Sequence, residues 1–237
     1  MVDTHPDEPA PHVSDVDARL NRLRAGVLGA NDGVVSVAGV VLGVVAATEH
    51  AGALAAAGVA ALVAGALSMG TGEYVSVSTQ SDTQRALLAK ERWELERMPE
   101  EELAELTAIY EAKGLSPQLA RQVAVELTEH DALAAHAEAE LGLDPEELTS
   151  PWQAAAASVL AFTLGGVLPL LAVLLPPQPA RVAVCVAAVV LALLVTGAVS
   201  ARLGGAPVPR AVARNVGGGL LAMVVTYGIG HLVGVAL

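Results

Sequence analysis

The sequence predicts an all-α integral membrane protein, with five transmembrane helices and an acidic three-helix cytoplasmic insert between the second and third. Three observations predict it. The 237 residues are 54% hydrophobic and only 16% charged, with a mean hydropathy of +0.55; soluble domains are nearer ~25% charged. Five apolar segments each reach the roughly 20 residues that a ~30 Å hydrocarbon core requires. The charge is also segregated. Residues 85–148 hold sixteen acids and six bases, a net of −10 within a chain total of −12, which leaves the apolar part nearly neutral.

Residues 1–20 are acidic and Pro-containing without an apolar stretch, and read as a disordered tail rather than a signal peptide. Residues 21–84 carry the first two spans, Ala25–Ala47 and Gly52–Val77, joined as a hairpin by the short "TEHAG". Residues 149–237 carry the other three, Gln153–Leu175, Arg181–Leu203 and Val212–Val235. Prolines in "PPQPA" separate the third and fourth. Small residues dominate these spans and allow close helix packing. Basic residues set the orientation. Arg19, Arg22 and Arg24 precede span one, and Arg202, Arg210 and Arg214 flank the turn between spans four and five. Both sets are cytoplasmic if the N-terminus and the insert are inside and the C-terminus is outside. The single cysteine, Cys185, excludes an intrachain disulfide framework and reads as packing.

The insert, residues 85–148, reads as three helices. Span two continues to Met98 and stops at Pro99; a second helix ends at Gly114; a third starts with Ser116 as N-cap and Pro117 at its first position, and ends at Gly142. Acids recur at i, i+3 in Glu91 and Glu94 and in Glu102 and Glu105. On an uninterrupted third helix, Glu126, Glu129, His130, His136 and Glu140 fall on one arc. A solvated acidic face is the ordinary explanation of such a run. Like charges at i, i+3 repel by a few tenths of a kcal/mol per pair, and repeating that on three helices calls for a compensating divalent cation. Glu and His without thiolate suit Fe²⁺, Mn²⁺ or Zn²⁺ better than Cu⁺.

Within span one, "GANDGVVS" places Asp32 about 12 Å along the helix from Arg24. A charge at the centre of a spanning helix costs about 2.5–3.5 kcal/mol, and such residues mark ion paths by default. Span two runs the opposite way, so Met69 of "GALSMGTGEYVSV" reaches a similar depth. Glu73 lies one turn nearer the cytoplasm on the same face, and Ser68, Thr71, Ser76 and Ser78 add oxygens. The expected transport pathway is a column of Glu73, Met69 and Asp32.

"GANDGVVS", "GALSMGTGEYVSVSTQSDT", the Glu-rich insert and "LGGVLPLL" resemble the vacuolar iron transporter family in its bacterial branch, over Leu20 to the C-terminus. The resemblance implies a five-spanning homodimer that exchanges cytosolic Fe²⁺, and often Mn²⁺, for protons. It implies a secondary-active transporter serving metal homeostasis in a bacterial plasma membrane, and no enzyme. It implies a membrane acid at Asp32, a methionine at Met69, and insert ligands at Glu91, Glu94, Glu102, Glu105 and Glu140. Two departures stand out: plant members have an acid where this chain has Ala61, and a glycine where it has Glu73. Plant members also carry methionines in the third insert helix, where this chain has His136 and Ala137, which makes the site harder.

The metal ligands expected in the insert are therefore Glu91, Glu94, Glu102, Glu105, Glu126, Glu129, His136 and Glu140. No cofactor is required. Fe²⁺ and Mn²⁺, with Zn²⁺ or Co²⁺, are bound substrates; the partners are protons, membrane lipid and a second copy, not nucleic acid. A metal-sensing scaffold would explain the insert but not a charge within the bilayer. A ferroxidase is weakened because Leu127 and Leu133, rather than glutamates, stand three residues before His130 and His136. The sequence has no phosphate-binding G-x-x-x-x-G-K-[ST] loop.

Overall fold

The computed structural model describes residues 13–145 and 149–236, with side chains from Gly26 onward. The described residues form helices α1 (Val13–Ala47), α2 (Ala51–Arg97), α3 (Pro99–Ala112), α4 (Pro117–His136), α5 (Pro151–Leu174), α6 (Arg181–Leu203) and α7 (Val208–Ala236). A π-helical turn, Ala137–Leu141, follows α4, and a 3₁₀ turn, Gln178–Ala180, leads into α6. The described residues contain no strand. Among the described residues, five helices are long and apolar enough to cross a membrane. In α2 the apolar stretch ends near Val77 and the remainder to Arg97 is charged. Helix α1 begins at Val13, inside the stretch assigned to the tail; residues 1–12 lie outside the described residues.

The chain divides into two compact units, residues 19–75 with 152–237, and residues 76–151 with the N-terminal segment. The second unit thus begins nine residues before the expected boundary at Arg85 (85 − 76).

In the first unit α1 is central. Val34, Val37, Ala38, Val41 and Leu42 recur at helical spacing and are all buried. Glycines bring neighbouring backbones onto it. A Cβ at Gly33 would overlap the Phe162 carbonyl, and one at Gly165 the Ala30 carbonyl, so α1 and α5 touch main chain to main chain. Gly230 of α7 meets Gly43 of α1 in the same way. Lipid tails are as apolar as leucine, so packing of this kind, rather than hydrophobic exclusion, holds membrane helices together. Helix α2 packs differently: the Phe162 ring fills the space over Gly65, and Leu170 that over Gly58. Asn215 of α7 donates to Thr196 Oγ1 of α6 at 3.2 Å. Cys185 is fully buried in this core.

The second unit contains the charged end of α2, α3, α4 and the π turn. Pro99 occupies the first turn of α3, where its missing N–H costs nothing. Glu100, Glu101 and Glu102 follow, at the end of the helix that favours negative charge. Gly114, at φ +101°, turns the chain toward α4. Ser116 stands at the N-cap position of α4 without a side-chain capping bond. Leu106, Ala124 and Ala135 form the small core.

The third insert helix is not the uninterrupted helix that the sequence predicts. Asp131 leaves helical geometry (φ −157°, ψ 97°), and its carboxylate accepts the Ala134 N–H at 3.0 Å. It acts as an N-cap in mid-sequence, starting a second segment on a new axis. That segment widens into the π turn and ends at Gly142, at φ +63°.

Candidate metal centres

Three helical segments each contribute one buried side chain to a single point in the insert unit: Glu91 from α2, Glu102 from α3 and His136 from the end of α4. Their exposures are 3%, 5% and 0%. One ligand atom from each lies within 4.8 Å of the others. His136 Nδ1 is 2.9 Å from Glu91 Oε1 and 3.6 Å from Glu102 Oε2. Neither approach is aligned as a hydrogen bond: Glu91 Oε1 and both imidazole nitrogens are buried without a hydrogen-bond partner. Orphaned polar atoms at this depth are costly and rare. Two carboxylates and an imidazole converging there match a first-row divalent cation.

The electrostatics agree. Burial raises the Glu91 carboxyl to about 7, helped by the neighbouring carboxylates Glu140, Glu102 and Glu94. Burial also raises Glu102, with Glu105, Glu94 and Glu140 adding to the shift. Burial lowers His136, against the opposing pull of Glu140 and Glu105. A cation would relieve all three.

The other expected ligands fall into two sets. Glu94, Glu105 and Glu140 surround the cluster as the charges that act on it; Glu94 also takes Lys90 Nζ at 2.6 Å. Glu126 and Glu129 are exposed on the part of α4 before Asp131 and are not brought into the cluster; His130, on the same arc though not an expected ligand, is exposed beside them. The break at Asp131 separates them from His136, which the expected arc had joined to them. An aspartate within a helical pattern, itself a strong capping residue, was the available signal.

In the membrane unit, Asp32, Met69 and Glu73 line one cavity of about 440 Å³. Ala61, Gly65, Ser68 and Gly72 complete the α2 face, and Phe162 closes it from α5. Ser36, one turn beyond Asp32, donates to its Oδ1 at 2.5 Å. Ser36 is not among the oxygens expected from span two, although its i, i+4 spacing from Asp32 points to it. Of the expected hydroxyls, Ser68 is on the wall, whereas Thr71 lines a different cavity beside Tyr74 and Trp152.

Fold and sites together define a multi-pass, all-helical membrane protein with an acid-lined cavity among its spans and a buried Glu–Glu–His cluster in a separate helical unit. The chain belongs to the VIT family, whose sequence model matches residues 23–231. It is 44% identical over 211 residues to a vacuolar iron transporter of Acanthamoeba castellanii, covering 89% of this chain and 78% of that one. It is 42% identical over 218 residues to vacuolar iron transporter homolog 1 of Oryza sativa subsp. japonica, covering 92% and 76%. It is 37% identical over 221 residues to vacuolar iron transporter homolog 2 of Arabidopsis thaliana, covering 93% and 88%.

Proposed function

We propose that this protein moves Fe²⁺, and Mn²⁺ with it, out of the cytosol in exchange for protons, as a secondary-active transporter. The observation that carries the reading is the shared cavity of Asp32, Met69 and Glu73 at the level of the spans. Two carboxylates and a thioether form a ligand set that holds a partly dehydrated divalent cation and takes up protons when the cation leaves. The names of the relatives support iron as cargo. The Glu91–Glu102–His136 cluster then serves as a second metal site, on the cytoplasmic side if the arginines at the helix ends set the orientation. The membrane is a bacterial plasma membrane in this reading, and the working unit a homodimer.

A metal-sensing scaffold without transport accounts for the insert cluster, but gives no reason for Asp32 and Glu73 to share a cavity among the spans. Metal uptake into proteoliposomes under an imposed pH gradient separates the two. The transporter reading expects saturable Fe²⁺ and Mn²⁺ flux coupled to opposite proton movement. No flux above protein-free vesicles, from protein that still binds metal, would favour the scaffold; flux indifferent to the pH gradient would indicate a uniporter.

A further inference from the structure

A second cavity in the membrane unit, of about 500 Å³, opens where α1, α6 and α7 meet near the turn between α6 and α7. Its polar lining comes from Asn31, Ser200, Arg214 and Asn215, and its apolar lining includes Leu28 and Leu203. No carboxylate lines it. Arg214 is exposed and has no ion-pair partner among the described residues. Asn31 Oδ1, contributed by α1, is buried and accepts no hydrogen bond. Leu28 and Leu203 are 58% and 45% exposed.

The depth of the cavity narrows the choice of ligand. Ser200 is in the last turn of α6, Arg214 in the second turn of α7, and Asn31 five residues into the α1 span. Ser200 and Arg214 therefore lie within roughly 10 Å of the ends of their helices, and Asn31 within the same distance of the start of the apolar span of α1, at ~1.5 Å per residue; in a bilayer that level would be close to the lipid phosphates and glycerol backbones. Basic pockets between spans at that level suit acidic lipid headgroups.

We propose that this cavity binds an anionic glycerophospholipid of the phosphatidylglycerol class. The phosphodiester pairs with the Arg214 guanidinium, whose planar fork matches phosphate oxygens. A headgroup hydroxyl donates to Asn31 Oδ1, supplying the missing partner. The acyl chains lie along Leu28 and Leu203. A choline headgroup offers neither net negative charge nor a donor for Asn31. The site shares Leu28 but no polar residue with the Asp32 cavity, and the proposal does not rest on the transport reading.

The test uses the full chain, delipidated in detergent, then exposed to equimolar phosphatidylglycerol and phosphatidylcholine and examined by native mass spectrometry. The expected result is preferential retention of phosphatidylglycerol by at least the roughly fivefold that one basic side chain contributes at an anionic surface. The preference should vanish in Arg214→Gln and persist in Arg210→Gln, an exposed arginine one turn away that does not line the cavity. Ser200→Leu should also abolish it by filling the cavity with Arg214 intact, which keeps the question decidable if Arg214→Gln misfolds. Equal retention of the two lipids would overturn the proposal. So would an equal loss in Arg210→Gln, which would mean diffuse surface charge. Thermal protection by glycerol phosphate alone, as large as that by the lipid, would overturn it in favour of a small-anion site.

Discussion

His136 Nδ1 approaches Glu91 Oε1 to 2.9 Å without forming a hydrogen bond. A divalent cation between these two buried polar groups would give both of them a partner. His136→Ala should therefore weaken metal binding by the full chain by at least the roughly 10–100-fold that loss of an outer-shell partner costs. His136→Met should retain binding but shift preference toward softer ions. Competition titrations with Mn²⁺, Fe²⁺ and Zn²⁺ measure both, and unchanged affinity in the alanine variant would remove His136 from the site.

Glu102→Gln and Glu126→Gln should differ sharply. The first removes a carboxylate from the cluster and should reduce the number of metal ions bound. The second changes an exposed residue before the Asp131 break and should leave the count unchanged. Metal analysis of purified variants after dialysis decides, and equal losses would show that α4 carries ligands on both sides of the break.

Metal binding should tighten as pH rises. A carboxyl near 7 is largely protonated at pH 6, so a cation must displace that proton. Affinity should rise by up to about tenfold per pH unit below 7 and level off above it. The sign for metal-free stability is opposite. The fold favours protonated Glu91, so the stability associated with it is lost as pH rises from near 4.5 through about 7. His136, lowered by burial, penalises the fold only on the acid side of its ordinary 6.5. The metal-free protein should therefore lose the Glu91 contribution up to about pH 7, partly offset below 6.5 by His136, level off above 7 and regain stability there with Mn²⁺; a profile identical to that of Glu91→Gln between pH 4.5 and 7 would contradict the burial of Glu91.

Asp32→Ala should abolish metal flux in proteoliposomes while leaving folded protein in the membrane, because it removes a cavity carboxylate rather than a packing residue. Normal Fe²⁺ and Mn²⁺ transport by this variant would make Asp32 structural.

Ala61 lies on the same cavity wall as Met69 and Glu73, three turns of α2 from the latter. If the cavity needs two carboxylates rather than one fixed position, Ala61→Glu should restore at least part of the flux lost in Glu73→Gln. No restoration, with the double variant folded, would tie the function to Glu73 itself.

Much of this was legible because it follows from periodicity and charge. Asp32, Met69 and Glu73 could be placed on one wall by counting residues along two antiparallel spans. Glu91 and Glu102 stood out as acids on helices with few compensating bases. The part that was not legible has a local cause. The arc drawn for Glu126 to Glu140 assumes 100° per residue throughout, and Asp131 resets that count by capping a new helical segment, while the π turn changes it again. Burial of His136, and exposure of Glu126 and Glu129, depend on that reset. The lipid-level cavity at Arg214 was also out of reach, since its walls come from three segments far apart in sequence.

The glycine contacts of α1 have a mechanical consequence. Where two backbones touch, as at Gly33 and Gly165 or Gly43 and Gly230, sliding one past the other means lifting it over main-chain atoms. In a transport cycle, helices α1, α5 and α7 would therefore stay fixed relative to one another, with Asp32 carried on α1. At Gly65 and Gly58, helix α2 meets the deformable side chains of Phe162 and Leu170, which can change rotamer, so it would be the element to shear. Opening the cavity to one side and then the other would carry Met69 and Glu73 past a stationary Asp32. A disulfide between cysteines at Gly65 and Phe162, the second of which removes the ring that a Cβ at Gly65 would meet, should then stop flux, and its reduction should restore it.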